Sequence, residues 1–182
     1  ARAESLSLVL TIKKVSMQSF LDNIIKSIQP LYKNANVKIY NTGENSFFCS
    51  ETYLSLAIKN IVSNAIKYSE KNGTVKLHSY SNEDFTVFSI EDTGKGISEE
   101  DIKHIFIPFY RGDVSRNRDS GGAGIGLALT NSLVKLHKGT VSVRSKKQVG
   151  TRFEVRIPNY SELGVDKPVD KPVDKPVDKL KL

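Results

Sequence analysis

The chain has 182 residues, enough for one ordinary domain and short for two, and its 38% hydrophobic and 26% charged residues exclude a disordered or fibrous polymer. No apolar run approaches the roughly 18 residues needed to span a bilayer and no signal-peptide layout opens the chain, so a soluble cytoplasmic piece is expected, any membrane anchor belonging to a longer protein. The single cysteine, Cys49, excludes an internal disulfide or CxxC zinc framework, and a net charge of +7 without a dense Lys/Arg block reads as a basic solvated surface, speaking against a nucleic-acid partner.

Residues 1–16 begin in mid-pattern and read as the end of something upstream. Over residues 17–34, Phe20, Leu21, Ile24, Ile25, Ile28 and Leu31 recur at helical spacing, and Val37 to Tyr40 then read as a short strand. A second helix is predicted from about Glu51 to Ser69, ended by Glu70-Lys71-Asn72-Gly73. The strands Thr74 to Tyr80 and Phe85 to Glu91 follow as a hairpin around Ser81-Asn82-Glu83-Asp84. A short helix, about Glu99 to His104, and a long irregular stretch lead to a third long helix, about Ile125 to His137. The strands Thr140 to Ser145 and Thr151 to Ile157 close the domain, which is expected over 17–160. Helices on one side and a mainly antiparallel mixed sheet on the other give an α+β, two-layer sandwich. The remaining residues, 161–182, repeat Val-Asp-Lys-Pro; frequent proline and cancelling charges make this an extended tether.

Asn60-Ile61-Val62-Ser63-Asn64-Ala65-Ile66-Lys67-Tyr68 is the most informative segment. At about 100° per residue, Asn60, Asn64, Lys67 and Tyr68 share one sector of the helix, while Leu54, Ile58, Ile61, Val62 and Ala65 fill another. Two amides one turn apart, a lysine and an aromatic suit a nucleotide: amide oxygens ligate Mg²⁺, Lys67 meets phosphate and Tyr68 lies against a base. The residues alone also fit an ordinary amphipathic helix, although asparagine is a mediocre helix former. Asp92-Thr93-Gly94-Lys95-Gly96-Ile97 follows a strand directly, so a carboxylate at the strand end can accept from an exocyclic amine while glycines let the backbone come close; it also describes a common turn.

Gly121-Gly122-Ala123-Gly124-Ile125-Gly126-Leu127 opens the third long helix, where backbone N–H groups and the positive end of the helix dipole attract phosphate. It is neither a Walker A sequence nor a Rossmann turn, and small residues for close packing would look the same. Between the loops, Phe106-Ile107-Pro108-Phe109-Tyr110-Arg111 precedes a polar stretch, Gly112 to Ser120, that suits a lid, with Arg111 near a terminal phosphate; the aromatics themselves suit a core.

In this order, and with Gly150-Thr151-Arg152-Phe153 later, the segments resemble the N, G1, F, G2 and G3 boxes of histidine kinase catalytic domains over roughly residues 17–158. The resemblance implies the Bergerat ATP-binding fold, with ATP and Mg²⁺ as cofactors. It would put Asn60 and Asn64 on Mg²⁺ and phosphates, and Lys67 and Arg111 on phosphates, with Asn60, Lys67 and Arg111 the catalytic set. Tyr68 and Ile97 would line the adenine, Asp92 would read its amine, and Gly94, Gly96, Gly122, Gly124, Ile125, Gly126, Leu127 and Thr151 would shape the rest of the pocket and lid. Related ATPases generally carry a glutamate where Asn60 stands; an amide cannot take a proton from water, which favours transfer over hydrolysis. The family's acceptor is a histidine in a His-Glu/Asp motif on a dimerisation hairpin, of which residues 1–16 would be the end. His78, His104 and His137 do not match that motif. Implied partners are that hairpin, in a homodimeric full-length protein, and a response regulator receiver domain. Alternatives are a gyrase- or Hsp90-like ATPase switch, an anti-sigma-type serine kinase and a catalytically degenerate nucleotide-binding module.

Overall fold

A computed structural model describes residues 10–32, 35–70, 73–112 and 123–159. In chain order its elements are β1 (Lys13–Ser16), α1 (Met17–Ile28), β2 (Asn36–Gly43), β3 (Ser46–Cys49), α2 (Glu51–Tyr68), β4 (Thr74–Ser81), β5 (Phe85–Asp92), α3 (Glu99–Ile102), α4 (Gly126–Leu136), β6 (Thr140–Lys146) and β7 (Gly150–Pro158). Five strands form one sheet in the order β2-β4-β5-β7-β6, with β2 parallel to β4 and every other pair antiparallel. The expected two-layer α+β sandwich is what forms. Residues 1–9 and the predicted tail, 161–182, lie outside the described residues.

Strand alternation decides which face meets the helices. Val75 and Leu77 on β4, Phe88 and Ile90 on β5, and Phe153, Val155 and Ile157 on β7 are all buried. Over them lies α2, which buries Leu54, Ala57, Ile58, Ile61, Val62 and Ala65, and both α1 and α4 pack against it. The opposite sheet face carries the basic residues Lys38, Lys76, Arg144 and Arg156. On that face Arg152 is tied to Glu91 at 3.1 Å and Ser89 at 2.9 Å.

Two short strands depart from the sequence reading. Lys13–Ser16 pair antiparallel with Ser46–Cys49, so these residues belong to the folded unit, with Val15, Phe47 and Cys49 buried. Phe47 meets Phe20 and Phe88 at centroid separations of 5.3 and 5.7 Å, and burying each such ring contributes about 2 kcal/mol. Burial pushes the Cys49 thiol up to about 12, which keeps it a packing group. Helix α1 stops at Ile28, and Leu31, expected on its apolar face, lies beyond it and is 75% exposed.

His137 ties two helix ends together. The ring is fully buried; Ser50 N–H donates to Nε2 at 3.1 Å, so Nδ1 carries the proton and donates to the Leu133 carbonyl at 2.8 Å. The start of α2 is thereby fixed to the end of α4, the two helices that carry the candidate site. Just past His137, Lys138 takes φ +54° in a Schellman turn, its N–H donating to Lys135 O and that of Gly139 to Val134 O, both at 2.9 Å. Lys138→Gly removes the left-handed strain and is expected to stabilise the fold by about 1 kcal/mol, read as a higher urea midpoint with unchanged slope.

Candidate nucleotide-binding site

On α2, Asn60, Asn64, Lys67 and Tyr68 are half-buried, in a sector that adjoins the one holding the buried core residues. Asn60 Nδ2 donates to the Gly126 carbonyl at 3.3 Å. That carbonyl can only accept, so the amide nitrogen faces α4 and Oδ1 stays available to a cation or a phosphate-bound water. Gly126 opens α4, and the residue before it, Ile125, is 43% exposed and offers no capping side chain. The first-turn N–H groups of α4 therefore lack a side-chain cap and suit an anion. Lys67 Nζ lies 5.2 Å from the Tyr68 ring centroid. Gly122 and the predicted lid segment from 113 onward lie outside the described residues.

At the far end of the site, Asp92 terminates β5 and is only 9% exposed. Burial pushes its carboxyl above the usual range, while hydrogen bonds from the backbone N–H groups of Gly94, at 2.9 Å, and of Thr151 partly restore it. The loop after Asp92 is pressed onto its neighbours, which is why it needs glycine. A Cβ on Gly94 would lie 2.1 Å from Tyr68 O, and one on Gly96, at φ +65°, 2.1 Å from Lys146 O. Lys95 N–H donates to Tyr68 O at 3.3 Å and Lys95 O accepts from Gln148 N–H at 2.8 Å. Ile97 N–H donates to Ser145 Oγ at 2.8 Å. The loop is thus clamped between the end of α2 and the β6–β7 turn.

The aromatic segment divides. Phe106 packs inward, edge-on to Phe153 at 6.5 Å, whereas Phe109, at φ +65°, is 73% exposed and donates its N–H to Gly124 O at 3.0 Å. Tyr110 OH donates to Asp101 Oδ1 at 2.7 Å, and Ser98 Oγ, which caps α3, donates to Oδ2 at 2.8 Å. Arg111 is half-buried next to Gly112, which packs on Asp101. The Tyr110 hydrogen bond, followed by that of Ser98, holds the Asp101 carboxyl below the usual range. Its contribution to stability is present above the unfolded carboxylate pKa and fades as pH falls through the lowered one. In Tyr110→Phe, the Asp101 carboxyl is expected to titrate closer to the ordinary range, followed by carbon-detected NMR.

The structure brings Asn60 to Gly126, and it gathers Tyr68, Asp92, Gly94, Gly96, Ile97 and Thr151 at one sheet end. Asn64 sits one turn beyond Asn60 on the same helix, and Leu127 packs against the core. Ser145, Asp101 and the Tyr110 hydroxyl do not stand out in the sequence, because an isolated serine or acid in a strand or short helix carries no signal without its spatial partners.

An amide-bearing helix, a buried carboxylate at a strand end and an uncapped helix start are thus set on one two-layer sandwich. The family of histidine kinase-, DNA gyrase B- and HSP90-like ATPases matches residues 49–161, and the chain belongs to it. The sensor histidine kinase YclK of Bacillus subtilis (strain 168) is 42% identical over 100 residues, 54% of this chain and 21% of the relative. Among solved structures, the mycobacterial sensor histidine kinase MprB superposes with a TM-score of 0.71 at 23% identity, covering 81% of this chain and 98% of that one. Full-length ShkA in complex with AMPPNP superposes with a TM-score of 0.70 at 24% identity, covering 84% of this chain and 32% of that one. The chain spans about a fifth to a third of the length of the curated relatives it matches. Among the described residues, no helix is long and apolar enough to cross a membrane.

Proposed function

We propose that this domain binds Mg-ATP and passes the γ-phosphoryl group to a histidine of a dimerisation hairpin in the same kinase, from which it goes to a receiver domain. The observation that carries the reading is Asn60, an amide bonded to Gly126 O; by the family resemblance it stands where related ATPases carry a glutamate, and an amide cannot accept a proton from water. Its free Oδ1 and the Asn64 amide one turn away are oxygen donors of the hard kind that Mg²⁺ prefers, so the residues fit that ion. When bound, the ion would neutralise phosphate charge. The chain's own residues do the rest: Asp92 accepts from the adenine amine, Tyr68 and Ile97 flank the base, Lys67 and Arg111 meet phosphate charge, and the start of α4 supplies N–H donors. The AMPPNP carried by ShkA supports the nucleotide assignment.

Of the three histidines, His137 is unsuited to accept phosphate, being buried and committed at both ring nitrogens. His78, which stacks on Tyr40 at 4.7 Å, and His104, 5.3 Å from the Tyr110 ring, lie outside any His-Glu/Asp motif. Ile107, Phe109, Ile125 and Leu129 are exposed apolar side chains around the start of α4, where a hairpin bearing the acceptor would seat. We place the domain in the cytoplasm, between the hairpin and the repeat tail of a homodimeric protein. The test is to incubate the chain with Mg²⁺, γ-labelled ATP and a helical hairpin carrying a His-Glu motif. Acid-labile, base-stable label on the hairpin is the expected product. Release of inorganic phosphate with no labelled hairpin would instead support an ATPase switch, and no calorimetric heat with an ATP analogue at millimolar concentration would sink nucleotide binding.

A further inference from the structure

We infer that Ser145 is a specificity-determining residue that fixes the Thr151 hydroxyl as a hydrogen-bond acceptor and so makes the base pocket select an exocyclic amine over a carbonyl. The inference rests on the adenine reading above. Ser145 Oγ has three neighbours: the Ile97 N–H at 2.8 Å, the Gly150 carbonyl at 2.8 Å and Thr151 Oγ1 at 2.9 Å. Two of these have fixed roles. The Ile97 N–H can only donate and the Gly150 carbonyl can only accept, so Ser145 spends one lone pair on the former and its single proton on the latter. What remains on Ser145 is one lone pair, and the Thr151 contact is satisfied only if Thr151 donates its proton into it. All three bonds then form at once, with the Thr151 proton turned back toward Ser145 and its own lone pairs presented outward.

Thr151 is the register partner of Asp92 across β5 and β7, both side chains are nearly buried, and the Thr151 backbone N–H helps hold the Asp92 carboxylate. The sheet end therefore presents two acceptors side by side and, with the Thr151 proton committed, no side-chain donor between them. An adenine amine has two N–H donors for such a pair, directly or through one water. A base with oxygen at the same ring position would set an acceptor against acceptors, which a buried site rejects strongly. Ser145 acts through Thr151 and the Ile97 backbone, so it is a positioning residue rather than a catalytic one.

The test uses the whole chain and two nucleotides that differ at this ring position, ATP and ITP, titrated calorimetrically into wild type, Ser145→Ala and Ser145→Thr. Without Ser145 the Thr151 hydroxyl is free to rotate and donate. The ratio of ATP to ITP affinity is expected to fall by about tenfold or more in Ser145→Ala and to be kept in Ser145→Thr, which retains the hydroxyl. Equal weakening of both nucleotides in Ser145→Ala, or no change, overturns the inference and leaves Ser145 a loop clamp. A wild-type chain that binds neither nucleotide overturns the adenine reading itself, and a wild type that binds both equally refutes the amine selectivity while leaving nucleotide binding intact.

Discussion

Asp92→Asn is expected to lower ATP affinity by about 100-fold or more while leaving the melting temperature at pH 7 unchanged or raised. The carboxylate already receives the Gly94 N–H and, from across the sheet, the Thr151 N–H, and it still has lone pairs for an amine on the base. An amide has one acceptor oxygen. Given to the backbone donors, it turns the NH₂ toward the adenine amine, donor against donor. Stability moves the other way for an electrostatic reason. Burial raises the Asp92 pKa in the fold above its unfolded value, so its contribution to stability is fully present below the unfolded pKa and is lost as pH rises through the folded one. At neutral pH the buried charge is held against its own preference, and a neutral isostere removes that cost. The same shift gives wild type a signature: ATP affinity should fade on acidification at a pH above that of an ordinary aspartate, because a protonated Asp92 offers a donor where the amine needs an acceptor. Calorimetry across pH checks both statements, and an Asp92→Asn variant that binds within about threefold of wild type would remove Asp92 from the base site.

The parts of this fold that sequence makes legible are those whose pattern is local. The α2 helix has 18 residues of unbroken periodicity, and its ends are readable to within one residue. The β4–β5 hairpin is equally well bounded, because Asn82 caps its turn by accepting from the Asp84 and Phe85 N–H groups at 3.0 and 2.9 Å, bonds an Asn-x-Asp turn announces. By contrast, β1 and β3 have four residues each, Lys13–Ser16 offering Val15 alone to the core, and their pairing joins segments some thirty residues apart. Neither period nor composition reports such a contact. The parallel alignment of β2 with β4 is equally silent, since it depends on where α2 returns the chain. In the site, Gly94 and Gly96 are readable as a spaced pair because a Cβ on either would fall 2.1 Å from a backbone oxygen, that of Tyr68 or of Lys146. Ser145 and Asp101 act through partners distant in sequence or on an otherwise featureless loop, and only the folded arrangement reveals them.

Asn60→Ala is expected to reduce phosphoryl transfer to the hairpin by about a thousandfold, with a loss of stability near 1 kcal/mol. The two effects have separate origins. The stability term is the Nδ2 bond to Gly126 O, which Thr130 Oγ1 also approaches at 3.0 Å, so the carbonyl is not left bare. The functional term is the loss of Oδ1, the atom left over once the amide nitrogen is committed to α4, and with it a ligand for the proposed Mg²⁺. Asn60→Asp separates them. It keeps an oxygen for the cation but turns a second acceptor toward the Gly126 carbonyl, so it should melt below the alanine variant yet retain more transfer. Because α2 and α4 are also joined through His137 at their far ends, neither substitution should unfold the domain. An alanine variant that transfers phosphate at the wild-type rate would reduce Asn60 to a link between the two helices. Asn60→Glu carries the complementary expectation, because it restores a proton acceptor beside the phosphates: inorganic phosphate release should rise relative to labelled hairpin.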